Sequence, residues 1–397
     1  MNKYKASVCI IGAGASGIVA AISAQRRGAD VVLVDRMDRI GRKILACGAG
    51  RCNLLNEHLD GSFYNEAARP LVGSVLARFG LIAITDFFHD IGLAMHTEAG
   101  RVFPATGQAS SVLQVLSLQL KRPGIKVLTG FPVARIEGRT SGFIVRGDNG
   151  GCVECEKIIV AAGGKSYPKL GSDGSGLRLA QSLGHSIIEP VPAAVPLITK
   201  DPLCQAVQGQ RITASVQAVI DGRVADRCEG DLLFTRYGVS GTAILDVSRQ
   251  VSVALHRRGG SRAVIVADLV PFLAADELKA EIARRRKQGF PPEALLAGIL
   301  PEKFGRPYRP LAAGVTPDAL VSGLKEKRFQ VSGTRGWDEA EFTAGGVSTG
   351  EIDHMTLEST RERGVYFCGE VIDVDGNRGG YNLAWAWASG FVAGLTQ

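Results

Sequence analysis

The chain has no uninterrupted run of about 18 or more apolar residues, so no part of it reads as a membrane-spanning helix. It also lacks a block of like charge. Lys and Arg total 46 against 39 Asp and Glu, and the net charge of +7 is scattered, so no nucleic-acid partner is expected. The densest basic run, Arg284-Arg285-Arg286-Lys287, lies in a helix-like stretch where Glu281 and Arg285 are spaced to pair, and reads as a solvated face. Metal-ligand clusters are missing too. Cys152-x-x-Cys155 has no second pair to complete a zinc site, and no metal is expected. Eight cysteines in 397 residues do not make a secreted disulfide framework. His89 and His96 stand alone and read as structural.

Glycine is plentiful, at 50 residues, which points to tight turns and close backbone approaches. A single core stops growing beyond roughly 250–300 residues, so a chain of this length implies two domains.

The most informative stretch is VCIIGAGASGIVAAISAQRRGADVVLVD, residues 8–35. It reads as strand, glycine turn, helix and second strand. Gly12, Gly14 and Gly17 give the G-x-G-x-x-G spacing, and Asp35 closes the second strand. Gly12 permits the sharp turn, Gly14 lets backbone approach a pyrophosphate, and Gly17 lets the helix pack on the sheet. The helix N-terminus then favours an anion, and Asp35 can accept from a ribose hydroxyl. The fingerprint alone does not separate FAD from NAD. Two lysines before the apolar run imitate a signal peptide, but cleavage would destroy the fingerprint, and a cytoplasmic location is expected.

The segment GRKILACGAGRCNLLN, residues 41–56, follows closely. Arg42, Lys43 and Arg51 could neutralise a pyrophosphate, while Gly48 and Gly50 leave room for a ring system against the main chain.

Residues 66–92 read as helices, and a loop and helix follow Arg101. IKVLTG, FPVARIEG, SGFIVRG and EKIIVAAGG, within residues 125–164, suggest a small antiparallel meander. Ala161, Ala162, Gly163 and Gly164 form a small-residue turn where the chain passes something bulky. Residues 171–185 give a glycine loop and a helix. From Val191 the composition changes: residues 211–269 are mostly strand-like, and residues 274–325 hold helices broken by prolines. Glycine-rich turns return at residues 342–353. Near the end, VYFC runs into Gly369-Glu370, and Gly376, Gly379 and Gly380 open a helix from about Asn382. The far terminus therefore completes the nucleotide domain. The expected division is 1–190 and 341–397 for that discontinuous domain, with 191–340 inserted.

GAGASG with Asp35, the turn at 161–164 and CGE at 368–370 together resemble the three-part FAD signature of two-dinucleotide-binding-domain flavoproteins. GRKILACGAGRCNLLN, LLFTRYGVSGTAIL, FTAGGVSTGEI and YFCGEVIDVDGNRGGYNLAWAWASG narrow the likeness. The chain resembles, over essentially its whole length, the bacterial flavoprotein family that includes aminoacetone oxidases and bile-acid-intermediate enone reductases. The resemblance implies an α/β fold: a discontinuous Rossmann-like, GR2-type FAD-binding domain with an inserted β-barrel-like and helical domain.

It also implies roles. Gly12, Gly14, Ala15 and Gly17 would line the pyrophosphate, Asp35 and Arg36 would contact the adenosine end, and Arg42 and Lys43 would lie near the phosphates. Gly50, Arg51, Cys52 and Asn53 would run past the ribityl chain and flavin edge. Ala162 and Gly163 would belong to the second part of the signature, and Gly369 and Glu370 to the third, with Glu370 on the ribityl side. Gly380, Tyr381 and Asn382 would present N–H groups to the flavin N1 and O2 region. Asp35 stands where such proteins usually carry Glu, and Cys47 and Ala49 depart from the expected loop pattern.

The implied activity is an FAD-dependent oxidoreductase passing hydride between flavin N5 and a small organic molecule, either an amine oxidase or an NAD(P)H-dependent enone reductase. Two alternatives stand beside it. Cys47 and Cys52 could form the redox pair of a disulfide reductase, although no second G-x-G-x-x-G for NAD(P)H occurs mid-chain. The flavin could instead serve a binding protein. Tyr381, Tyr237 and Arg51 are the candidate proton donors. The expected partner is a small-molecule substrate, with the oligomeric state open.

Overall fold

The structure, a computed structural model, describes residues 2–257, 259–314 and 316–395. It divides into two compact units, Met1–Pro190 with Phe342–Gln397, and Val191–Glu341.

The first unit is built on a seven-stranded sheet in the order Ile125–Leu128, Val31–Val34, Lys3–Ile11, Cys152–Val160, Phe143–Gly147, Val133–Gly138, with Val365–Phe367 also paired to Cys152–Val160. The inner strands are parallel, with Ile10 beside Leu33 and Ile159. Their apolar runs are buried on both faces, as parallel strands require; all of Val31–Val34 is buried. Phe143–Gly147 is antiparallel to both neighbours, so part of the expected meander forms. Ile125–Leu128 does not join it. That strand lies parallel beside Val31–Val34 at the opposite side of the sheet, because helix Ala109–Gln119 precedes it and delivers it as a crossover.

Two helices pack closely because of small residues. Helix Ala15–Arg26 carries Gly17, where a Cβ would overlap the Gly12 carbonyl. The C-terminal helix Tyr381–Leu395 lies against it through Gly390 and Gly394; a Cβ on Gly394 would come 2.6 Å from the Ala20 carbonyl oxygen.

The second unit holds a closed barrel of Leu197–Thr199, Gly238–Ser240, Arg223–Thr235, Arg211–Ile220, Ala263–Asp268 and Lys327–Thr334. Arg211–Ile220 alternates between buried and more exposed positions, as a half-buried strand should. The stretch read as strand-like contains a 16-residue helix, Thr242–Arg257, which buries Ile244, Val247 and Val251 at helical spacing. Period 3.6 over that length outweighs the strand propensity of its valines. Helices Ala275–Lys287, Gly305–Ala312 and Asp318–Lys325 complete the unit around a core that includes Phe234, Phe304 and Phe329.

Among the described residues no single helix is long and apolar enough to cross a membrane. The bent pair Glu66–Arg78 and Leu81–Asp90 meets the length and composition test only when taken together.

Candidate cofactor site

The site is built in the first unit, where the C-terminal ends of the parallel strands meet the glycine turn. Gly12 has φ +107°, and a Cβ there would lie 2.5 Å from the Ala161 carbonyl oxygen. Gly12 is therefore glycine because the strand carrying the 161–164 turn presses on it. Gly14 differs. It has φ −84°, and a Cβ there would meet nothing within 4 Å, so open space lies over the helix N-terminus.

Asp35 closes the second strand and holds the glycine turn. Its Oδ2 accepts from the Ala13 N–H at 2.7 Å and its Oδ1 from the Met37 N–H at 2.8 Å. Burial pushes its carboxyl above the usual range despite both bonds. Each oxygen keeps lone-pair capacity for a ribose hydroxyl. Arg36 points to a different partner: it is paired with Asp173 of the glycine loop before helix Ser175–Ser182. Burial opposes ionisation of Asp173, but Arg36 and Ser175 outweigh it and hold the carboxyl at about 2.

Lys43 and Glu370 lie 327 positions apart and meet as an ion pair, Nζ to Oε2 at 2.5 Å. Lys43 also donates to Ser166 Oγ at 2.6 Å. Glu370 Oε1 accepts from Ser166 Oγ at 3.0 Å and from the Thr343 N–H at 2.7 Å. Thr343 Oγ1 accepts from the Lys165 and Ser166 N–H groups at 2.7 and 3.2 Å. One polar network thus fastens four chain segments. Ser166 and Thr343 were absent from the residues read out of the sequence, although Thr343 belongs to the quoted FTAGGV motif and Ser166 lies two residues after the small-residue turn.

The loop after Lys43 is unusual in its backbone. Gly48, Ala49, Gly50 and Cys52 all have positive φ, +58°, +54°, +86° and +58°. This conformation exposes the loop at Gly48 and Ala49 and turns Cys52 inward, where it is wholly buried. Cys52 therefore packs its side chain beneath the loop. Burial pushes its thiol pKa well up, with Cys47 adding to the effect, so a reactive thiolate is disfavoured and the disulfide-reductase alternative loses its nucleophile. All eight cysteines are thiols.

Asn53 follows, with its side-chain Oδ1 buried and without a hydrogen-bond partner among the described residues. A buried amide oxygen left unpaired costs roughly 1–3 kcal/mol, a cost that a donor from water or a ligand relieves.

The C-terminal helix supplies the last wall. Gly380 has φ +108°, and a Cβ would lie 2.5 Å from the Leu55 carbonyl carbon. Asn382 turns its side chain back onto the loop, accepting from the Gly376 N–H at 2.9 Å and donating to the Gly376 carbonyl at 2.8 Å. Trp385 Nε1 donates to the Gly369 carbonyl at 3.1 Å and Trp387 Nε1 to the Leu54 carbonyl at 3.0 Å. This helix therefore ties the third part of the signature to the 41–56 loop.

The three proton-donor candidates fare differently. Tyr381 is buried and stacked on Phe63 at 4.5 Å between ring centroids, and burial raises its hydroxyl pKa. Arg51 is exposed, paired with Glu98 Oε2 at 2.5 Å and set over the Phe103 ring, a surface pairing beside the strand Met95–Glu98. Tyr237 belongs to the second unit, where the Arg335 guanidinium lies over its ring. Arg42 lies 3.8 Å from Asp38 and also acts on the Asp35 carboxylate. Among the described residues no group of three or more His, Cys, Asp or Glu could hold a metal.

The residues present fit a flavin dinucleotide. Gly14 leaves space at the helix N-terminus, Asp35 stands at the strand end, and Asn53 offers a buried acceptor with no partner among the described residues.

Residues 6–396 match the HI0933-like protein Rossmann domain. The chain is 38% identical over 97% of both chains to a 3-dehydro-bile acid delta(4,6)-reductase of Clostridium scindens. It is 32% identical over 96% of both chains to a ribosomal RNA dihydrouridine synthase of Escherichia coli. A flavocytochrome c3 fumarate reductase shares the fold, with TM-score 0.51 and 17% identity over 99% of this chain and 78% of that one. Extended identity to the reductase and a family match spanning nearly every residue agree with the glycine turn, the strand-end acid and the returning C-terminus: the chain belongs to the HI0933-like Rossmann family.

Proposed function

We propose that this FAD-dependent oxidoreductase saturates a carbon–carbon double bond conjugated to a carbonyl, with NAD(P)H as the reductant. When bound, FAD supplies a two-electron hydride carrier. The protein's own contribution begins with Asp35, which is set to accept from the ribose hydroxyls. The N-terminus of helix Ala15–Arg26 would hold the diphosphate. The Lys43–Glu370–Ser166–Thr343 network holds the converging segments in place, and Asn53 Oδ1 would accept a hydrogen bond from the bound group. Of the three candidates Tyr381 is the buried one in the first unit, whereas Arg51 is exposed and Tyr237 belongs to the second unit, so Tyr381 is the candidate proton donor.

The orphaned Asn53 oxygen is the observation that carries the cofactor reading. The reduction reading rests on the relatives' names. One names a delta(4,6)-reductase of a 3-dehydro acid and the other a dihydrouridine synthase. A 3-oxo-4-ene and a uracil ring share one feature, a C=C conjugated to a carbonyl. The second name supports a further reading, a uridine in RNA, against the expectation of no nucleic-acid partner.

The test is to reduce the FAD-loaded protein anaerobically with NADPH and mix it with a 3-oxo-4-ene steroid acid, with uridine-containing RNA, or with a small amine under air. Saturation of the steroid supports the proposal and saturation of uridine supports the second reading. Peroxide formed from amine alone would replace both with an amine oxidase.

A further inference from the structure

A groove of about 1000 Å³ opens in the first unit between the 38–46 segment, helix Ala109–Gln119 with the residues just beyond it, and strand Ile125–Leu128. Its walls include Leu45, Leu113, Leu120, Val127 and Leu170. Leu45 is 42% exposed, which leaves a large apolar side chain facing solvent with nothing described to cover it. Ser117 brings no spare donor, since its hydroxyl already donates to the Leu113 carbonyl at 2.6 Å.

The charged groups on the rim are uneven. Arg39, Arg42 and Lys121 stand against the single acid Asp38, and Asp38 makes only the 3.8 Å contact with Arg42. Arg39 and Lys121 have no ion-pair partner among the described residues. Volume, apolar walls and a cationic rim together define the ligand chemistry: an apolar body of small-molecule size with one anionic head.

We propose that this groove binds a soluble amphipathic anion, such as a long-chain carboxylate. Leu45 and Leu113 cover the apolar body, and Arg39 and Lys121 receive the head. The proposal does not depend on the reaction assigned above.

The test uses the full chain loaded with FAD and the fluorescent probe 1-anilinonaphthalene-8-sulfonate. Saturable one-site binding is expected, displaced by dodecanoate and roughly tenfold less well by dodecanol. Arg39→Glu combined with Lys121→Glu should weaken dodecanoate by about tenfold and leave dodecanol within about twofold, while Leu45→Glu weakens both. All three positions are exposed, so an unchanged melting temperature shows that the variants fold. Non-saturable binding, equal affinity for acid and alcohol, or insensitivity to the variants would overturn the proposal. Release of FAD on probe binding would overturn it as well, by making the groove part of the cofactor site. Binding confined to vesicles of anionic phospholipid would refute a soluble ligand.

Discussion

Lys43 and Glu370, 327 positions apart, meet as a part-buried ion pair with 2.5 Å between Nζ and Oε2. Two segments distant in sequence are thereby held in one wall of the proposed cofactor site. Glu370→Gln leaves the Lys43 charge facing Ser166 without its carboxylate and should cost about 2 kcal/mol. The Lys43→Met, Glu370→Gln double variant should lose less than the sum of the single changes, as read from urea midpoints in a double-mutant cycle.

Asn53 separates stability from binding. Its Oδ1 has no protein partner, so Asn53→Ala should change the melting temperature of the cofactor-free protein little. The same change should weaken FAD roughly tenfold, which is about 1.4 kcal/mol. Titration of the apoprotein with FAD measures it.

Gly14 and Gly17 make an opposed pair. A Cβ at Gly14 meets nothing, whereas one at Gly17 overlaps the Gly12 carbonyl. Gly14→Ala should therefore fold normally and bind FAD less well. Gly17→Ala should lose about 1–3 kcal/mol of stability as the helix is pushed off the sheet. Thermal melting of both apoproteins compares them directly.

The glycine turn and the strand-end acid are legible in the sequence because their requirements are local: a φ, a close approach, an acid one strand away. The barrel strands within residues 211–269 were legible as strand-like, as the alternation in Arg211–Ile220 illustrates, whereas the short Leu197–Thr199 and the later Lys327–Thr334 were not. Contacts that depend on distant segments were not. Lys43 was assigned to phosphates and Glu370 to the ribityl side, with nothing in either segment to show that they pair. Nothing in the segment around Arg51 shows that Glu98 lies beside it. Cys52 was turned inward by its own positive φ, which a Cys code does not announce.

His185 sets an acid limit on the fold. Its Nε2 lies 2.7 Å from Ser359 Oγ and its Nδ1 3.2 Å from Glu351 Oε2. Ser359 Oγ already accepts from the Arg361 and Glu362 N–H groups, so its proton goes to Nε2 and the ring is neutral. Burial lowers the His185 pKa despite the opposing pull of Glu351. For Glu351, burial pushes the carboxyl up, but Arg361 and Ser186 outweigh it and hold it at about 2. Both folded values are depressed, so both contributions are present at neutral pH. The His185 share is lost first, as pH falls below about 6.5, and the Glu351 share as it falls below about 4.5 towards 2. Melting temperature against pH should fall in those two stages, and His185→Gln should remove the first.

The central claim is tested most directly by anaerobic titration of the FAD-loaded protein, followed by its visible absorbance. The account predicts a yellow protein bleached by NADPH, with colour restored stoichiometrically by a 3-oxo-4-ene steroid acid as the saturated acid appears. A protein that takes up no FAD, or one that NADPH cannot bleach while a small amine can, would contradict it.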